Sequence, residues 1–239
     1  MIFSSRHDGF LKDVALIDGA SGKAWTYAQT RIRAQALARR LAFPGKALVF
    51  CFCRNNVPSV LAYLACLSQG HAVCLLDATA AAPHKNRMVK TYKPDFVIEP
   101  PRSAASWGRP YRRIASPAAG LSVWKARRAS EGRLHPSLCL LLSTSGTTGS
   151  PKLVRLSQEN IEANARSIAR YLGLRPGERA PSSLPIHYSF GLSVLNSHLA
   201  AGAGIVLTDD SVLTQRFWKI FKRHRCTSFA GVPYSYTML

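Results

Sequence analysis

The run 47–53, Ala-Leu-Val-Phe-Cys-Phe-Cys, is apolar at every position, and a strand with no polar alternation has to be covered on both faces. Helices above and below a parallel sheet are the simplest cover, and the flanking sequence supplies them. Short strands are expected at 14–17 and 23–25. Thr26 and Gln29 then form a capping box for a helix that turns Ala28, Ile32, Leu37 and Leu41 inward. After 47–53, Asn56 caps a helix running through Gln69, with Pro58 in its first turn and Gly70 at its end. A strand at 72–76, a helix at 83–92 and a strand at 96–98 complete a βαβαβ series. From 100 to 135 prolines, serines and arginines break the pattern, and only 121–124 reads as a strand.

Two further stretches, 138–142 and 153–156, read as buried strands. Ser157 caps the next helix, Glu159 and Glu162 suit its positive end, Ile161, Ala165, Ile168 and Leu172 form its inward stripe, and Gly173 closes it. A strand near 181–184, a helix at 190–201, a strand at 205–207, a helix at 212–224 with Leu213, Phe217 and Ile220 inward, and a strand at 227–230 follow. The expected class is α/β: interleaved, mostly parallel sheets flanked by helices. The expected division is a first α/β subdomain at 1–99, a surface connection at 100–136 and a second subdomain at 137–239.

Between the runs 138–142 and 153–156 the chain reads Ser143-Thr144-Ser145-Gly146-Thr147-Thr148-Gly149-Ser150-Pro151-Lys152. Gly146 and Gly149 let backbone N–H groups converge, Thr144, Ser145, Thr147 and Thr148 add hydroxyl donors, Pro151 stiffens the exit and Lys152 brings a positive charge. Such a loop is suited to polyphosphate. It joins strand to strand, and Ser150 and Pro151 separate its lysine from its last glycine, so it differs from a Walker loop. The alternative is a polar hairpin turn without a ligand.

The stretch Thr144–Lys152 resembles the phosphate loop of the adenylate-forming enzymes: acyl-CoA synthetases, luciferases and nonribosomal-peptide adenylation domains. Other segments support the resemblance in the same order. Trp25-Thr26-Tyr27-Ala28-Gln29 is similar to the family's early Thr-Tyr helix start, and Tyr63 to Val73 followed by Asp77 to its Leu-Lys-Ala-Gly-Ala…Val-Pro-Leu-Asp segment. Leu184-Pro185-Ile186-His187-Tyr188-Ser189-Phe190-Gly191 is similar to its Pro…His…Gly segment beside the acyl pocket, and Ala230-Gly231-Val232-Pro233 to its Val-Pro turn.

The resemblance implies carboxylate activation by ATP with Mg2+, acting on a small carboxylic acid and passing the acyl group to a thiol of CoA or of a carrier protein. Thr144, Ser145, Gly146, Thr147, Thr148, Gly149 and Lys152 would hold phosphate, and His187, Tyr188, Gly191 and Gly231 would line the substrate pocket. The family's adenine-stacking aromatic, its ribose-binding aspartate, its magnesium-ligating glutamate and its late lysine all follow the Val-Pro turn, and the sequence reaches Leu239 a few residues after that turn without them, so this chain alone is expected to be inactive. The expectation is thus an AMP-forming ligase whose second subdomain is incomplete at its C-terminal end, either truncated or completed by a separate C-terminal chain. A non-catalytic remnant or binding module with weak polyphosphate affinity is the alternative. Two departures stand out: Leu153 replaces the glycine that usually follows the motif lysine, and His187 sits one place before the family's histidine, whose position Tyr188 takes.

The net charge of +20, from 32 basic and 12 acidic residues, permits an anionic partner. The charges are scattered, as at Arg31, Arg33, Arg39 and Arg40 or Lys219, Lys222, Arg223 and Arg225, with no aromatic-interleaved basic block, so a solvated surface is favoured over specific nucleic-acid recognition. The six cysteines include no Cys-x-x-Cys pair, and Cys51, Cys53, Cys66, Cys74 and Cys139 lie in apolar surroundings, which favours reduced thiols and a cytoplasmic location. No apolar run is long enough to span a membrane, and Arg6, His7 and Asp8 interrupt any signal peptide. The histidines are spaced too widely for a zinc site.

Overall fold

The computed structural model describes residues 9–101, 107–114, 120–128, 132, 134–143 and 152–239. In chain order the first elements are β1 (Val14–Asp18), β2 (Ala24–Thr26), α1 (Tyr27–Arg40), β3 (Leu48–Cys53), α2 (Val57–Ser68), β4 (Ala72–Asp77) and α3 (Ala82–Tyr92). They are followed by β5 (Phe96–Glu99), β6 (Tyr111–Ile114), β7 (Ser122–Ala126), β8 (Leu138–Ser143), β9 (Leu153–Ser157) and α4 (Gln158–Tyr171). The last are β10 (Arg179–Pro181), α5 (Ser189–Ala200), β11 (Gly204–Leu207), α6 (Gln215–Arg223) and α7 (Pro233–Thr237). Contacts gather the chain into two compact units, one of Arg33–Arg54 with Pro58–Gln158, the other of residues up to Ile32, Asn55–Val57 and Glu159–Leu239.

The first of these is built on β3, whose six residues are all buried. It pairs in parallel with β4, from Leu48↔Ala72 to Cys53↔Asp77, and with β5 on its other side. β8 continues the parallel set beside β4, and β9 returns antiparallel from it, giving the order β6-β7-β5-β3-β4-β8-β9 among the described residues. Leu48, Phe50 and Phe52 face one side with Cys74, Leu76, Val97, and Met88 and Val89 of α3. Val49, Cys51 and Cys53 are equally buried, so both faces are covered as the uniform run requires. β6 was not read in the sequence. Its Tyr111 is buried while Arg112 and Arg113 face solvent, which disguises a strand as polar loop and also protects a sheet edge.

The second unit holds a sheet in the order β10-β11-β1-β2, with β1 and β10 parallel to β11 and β2 antiparallel to β1. The capping box forms as expected: the Thr26 N–H donates to Gln29 Oε1 at 3.0 Å and the Gln29 N–H to Thr26 Oγ1 at 3.2 Å. The helix stripe starts one residue earlier than expected. Tyr27, Thr30, Ala34, Leu37 and Leu41 are buried, so Ile32 falls on the outer face and is 63% exposed. Tyr27 sets this register by donating to the carbonyls of Ala203 at 2.7 Å and Leu199 at 3.2 Å.

Other expectations shift at element ends. Leu172 is exposed, because Gly173 at φ +63 ends α4 and turns the chain before it. Leu213 is also exposed: Thr214 is the N-cap of α6, accepting from the Phe217 N–H, so Leu213 precedes the helix. β10 ends at Pro181 instead of spanning 181–184. Residues 227–230 form no strand, although the Thr227 N–H donates to Arg179 O at 2.8 Å.

Candidate functional site

The ladder fixes where the phosphate-loop segment begins and ends. Ser143 closes β8 opposite Leu153, the first residue of β9. Because β8 is parallel to β4, the connection leaves at the carboxyl end of the parallel strands, where open α/β sheets gather ligands. Thr144, Ser145, Gly146, Thr147, Thr148 and Gly149 lie outside the described residues. Lys152 is described; it is exposed and directly precedes β9.

Polar residues stand at or near the same strand ends, Asp77 among the residues named from the sequence, Lys85 and Glu99 not. Asp77, at the end of β4, accepts from the Thr79 N–H and hydroxyl, both at 2.7 Å to Oδ1. Lys85 is buried on α3 and donates to the Ala78 carbonyl at 2.6 Å. Burial pushes its ammonium pKa down, opposed by the carboxylates of Glu99 and Asp77. Glu99, at the end of β5, is buried and accepts from the indoles of Trp107 at 2.9 Å and Trp124 at 3.1 Å. The sequence shows only a lysine in a helix and a glutamate after an apolar run, and neither pattern tells a buried charge from a solvated one.

In the other unit, the segment Ser182–Gly191 carries the expected substrate-pocket residues, and Asn55 fastens it. Asn55 Nδ2 donates to the carbonyls of Ser182 at 3.0 Å and Leu184 at 3.2 Å, and its Oδ1 accepts from the Ile186 N–H at 3.0 Å. The Asn55 N–H in turn donates to Asp209 at 2.9 Å. The turn at 184–188 presents His187 and Tyr188 with ring centroids 4.7 Å apart, and Tyr188 is 52% exposed at the start of α5. Gly191 lies against the backbone, where a Cβ would meet Pro185 O at 2.3 Å and Leu184 O at 2.7 Å. Ser183 donates to the Ala230 carbonyl and so brings this segment beside Gly231. A Cβ on Gly231 would meet Tyr236 at 3.1 Å and Phe229 at 3.2 Å. His187, Tyr188, Gly191 and Gly231 thus lie in one unit, and Lys152 belongs to the other.

The buried histidines are structural. His71 accepts from the Ala47 N–H through Nδ1 and donates from Nε2 to Leu41 O at 2.9 Å. His198 donates from Nδ1 to Val194 O at 2.9 Å and accepts from Ser228 through Nε2. Burial pushes both pKa values down, against backbone hydrogen bonds that favour the charged ring. Cys51, Cys53, Cys66, Cys74 and Cys139 are buried as free thiols, and burial pushes Cys51 up to about 12. Among the described residues no three His, Cys, Asp or Glu side chains gather as a metal site, and no helix is long and apolar enough to cross a membrane.

The family model for AMP-binding enzymes matches residues 3–239. Isonitrile lipopeptide synthase of Streptomyces coeruleorubidus is 30% identical over 215 residues, covering 84% of this chain and 15% of that protein. Sulfoacetate–CoA ligase of Cupriavidus necator is 37% identical over 94 residues, 39% of this chain and 18% of that protein. D-alanine–D-alanyl carrier protein ligase of Streptococcus pneumoniae is 26% identical over 212 residues, 84% of this chain and 40% of that protein. The chain therefore spans well under half the length of these curated relatives. Among solved structures, ATP-bound MatB from Rhodopseudomonas palustris has a TM-score of 0.77 at 22% identity, covering 99% of this chain and 49% of that one. IdnL1 has a TM-score of 0.80 at 19% identity, with 99% and 49% covered. These structures share the fold, a mixed α/β arrangement of sheets flanked by helices. The chain belongs to the AMP-binding enzyme family, the adenylate-forming enzymes, and corresponds to the N-terminal part of their large domain.

Proposed function

We propose that the chain contributes to ATP-dependent carboxylate activation, with acyl transfer to a thiol of CoA or of a carrier protein. The observation that carries this reading is the hydroxyl- and glycine-rich connection 144–151, set at the carboxyl end of β8 in a chain of the AMP-binding family. In the reaction a carboxylate oxygen bonds to the α-phosphorus of ATP as the bond to the β-phosphate bridge breaks and pyrophosphate leaves. A thiolate then takes the acyl carbon and AMP departs. Negative charge grows on phosphate oxygens in the first step. N–H groups, the hydroxyls of Thr144, Ser145, Thr147 and Thr148, and the Lys152 ammonium would stabilise it without reorganising.

The loop hydroxyls and phosphate oxygens are hard donors of the kind Mg2+ accepts, and the ion would neutralise phosphate charge when bound. His187 and Tyr188 would border the acyl pocket, Tyr188 where relatives carry histidine, with Gly191 and Gly231 keeping the wall low. His187 is not needed as a base, since the carboxylate is already ionised at neutral pH. Six cysteines outside any disulfide, five of them buried, fit a reducing cytoplasmic setting.

Titrating pyrophosphate at two salt concentrations, followed on the backbone amides of 144–149, tests the phosphate role. Localised shifts are expected, weakened by Lys152→Ala and little changed by Arg223→Ala. Equal weakening by both substitutions, with no localised shift, would reduce the interaction to a diffuse basic surface. Carboxylate-dependent exchange of pyrophosphate into ATP across short, aromatic and long-chain acids tests the chemistry. Local pyrophosphate binding without exchange for any acid would leave this chain, taken by itself, a phosphate-binding module.

A further inference from the structure

We propose that the seven-stranded unit carries a second small-molecule site, for a single-chain anionic amphiphile, in the cavity between the end of α3 and the strands β6 and β7. This cavity of about 1070 Å³ is at the upper end of the range in which proteins enclose small ligands. Leu48, Val89, Trp107 and Leu134 give it an apolar floor. Lys90, Lys93, Arg109, Arg127 and Arg128 stand around it, all exposed, and no Asp or Glu is among its described lining residues.

Two lysines near a helix C-terminus are accounted for by the helix dipole. The three arginines are not, since they come from outside the helix. Arg109 precedes β6 and Arg127 follows β7, and the Arg127 N–H donates to Pro110 O at 2.8 Å, holding these two segments together at the rim. Lys93 adds a further observation. It adopts φ +44 as the C-cap of α3, a left-handed conformation that glycine or asparagine normally takes, and it lines the cavity there.

The walls select the ligand's chemistry. Trp107 is stacked on Phe52 at 5.6 Å and its indole N–H is engaged by Glu99, while the Tyr111 hydroxyl donates to Pro94 O at 2.8 Å. These polar atoms are already satisfied, so the floor suits an alkyl chain better than a sugar or a base, and the cationic rim suits an anionic head. Leu48 opens β3, Lys93 comes before β5, and Ala126 ends the antiparallel β7. The cavity mouth, marked by Lys93 and Ala126, therefore lies where the parallel strands begin, with Trp107 reaching inward to Phe52 and Glu99, so the anionic head would sit at the opposite end from the connection 144–151 and would not compete with polyphosphate.

The test uses the whole chain and alkylsulfonates of eight, ten and twelve carbons below their micellar concentrations, which carry no carboxylate to be activated. Binding is followed by calorimetry and by tryptophan fluorescence. Affinity should rise about fourfold per added methylene, the fold-change corresponding to about 0.8 kcal/mol per buried CH₂. The ten-carbon alcohol should bind at least about tenfold more weakly than the sulfonate, and saturating pyrophosphate should displace neither. Arg109→Glu and the pair Arg127→Glu with Arg128→Glu should each weaken the sulfonate about tenfold or more and leave the alcohol unchanged, and Leu134→Trp should weaken both by filling the cavity.

Equal affinity for sulfonate and alcohol would overturn the proposal, as would arginine variants that bind normally. Retention on anionic vesicles without binding of the monomeric sulfonates would overturn it in favour of a membrane surface. Where a charge-reversed variant fails to fold, as judged by its unfolding curve, the sulfonate-to-alcohol ratio of the unmodified chain at low and high salt decides. A ratio that does not fall with salt counts against the cationic rim.

Discussion

Gly191 and Gly231 are both small-residue positions beside the expected pocket, and at residue scale their surroundings differ in kind. At Gly191 the obstruction is backbone, at 2.3 Å and 2.7 Å from a built Cβ, so α5 itself would have to move. At Gly231 the neighbours at 3.1–3.2 Å are side chains that can yield. Gly191→Ala should therefore cost about 3 kcal/mol or more in a urea unfolding experiment, and Gly231→Ala about 1 kcal/mol. Equal costs would show that α5 is free to shift. Asn55 offers a second check. Its truncation to alanine strands two carbonyls and one N–H, and should cost roughly 2–4 kcal/mol while loosening the turn that carries His187 and Tyr188. An Asn55→Ala chain as stable as the original would mean that water replaces the amide. The importance of Asn55 could not be read locally, because its partners lie 127 to 131 residues away.

At the scale of elements, a uniform apolar run and a reciprocal cap are legible because they act over a few residues. The strands β3, β4 and β8 and the start of α1 were readable for that reason. The facing of its first turns was not: Leu37 and Leu41 turn inward as expected, but Tyr27, held by bonds to chain 172 and 176 residues later, takes the inner face at the start and leaves Ile32 outside. This gives a contrast within one helix. Ile32→Lys should stay within about 0.5 kcal/mol of the original, whereas Leu37→Ala, at a fully buried position, should cost about 2–5 kcal/mol by chemical denaturation. β6 escaped notice because an edge strand with two outward arginines has the composition of a loop. The phosphate loop was legible as chemistry, from its hydroxyls, glycines and lysine, and the sheet register adds where it departs. Lys85 and Glu99 were not legible, since a lone charge in a pattern looks the same whether it faces water or the interior.

Over the whole molecule, the balance of buried ionisable groups sets a pH window. His71 and His198 have lowered pKa values in the folded chain, against an ordinary value of 6.5. Each therefore binds its proton more readily when unfolded, so the stability it contributes is present above pH 6.5 and is lost as pH falls below it. The urea midpoint should drop between pH 7.5 and 5. His71→Gln should be less stable than the original at pH 7.5 yet lose less on acidification, and an unchanged pH slope would remove His71 as a cause. The buried thiols act at the other limit. Cys51 holds its proton up to about 12 when folded, so its contribution is present below the unfolded thiol range and declines as pH rises towards that value.

The strand β1 lies beside β11, with Leu16 opposite Ile205, in a sheet whose members are separated by most of the chain. On a ribosome this spacing becomes a delay. At about 5–20 residues per second, β1 waits on the order of 10–40 s for its partner to be synthesised. Throughout that interval Ala15, Leu16 and Ile17, all destined for the interior, have the short antiparallel β2 on one side and no strand on the other. The seven-stranded unit, whose strands all precede α4, can assemble first. The early segment is thus a natural client for a chaperone that holds nascent chains.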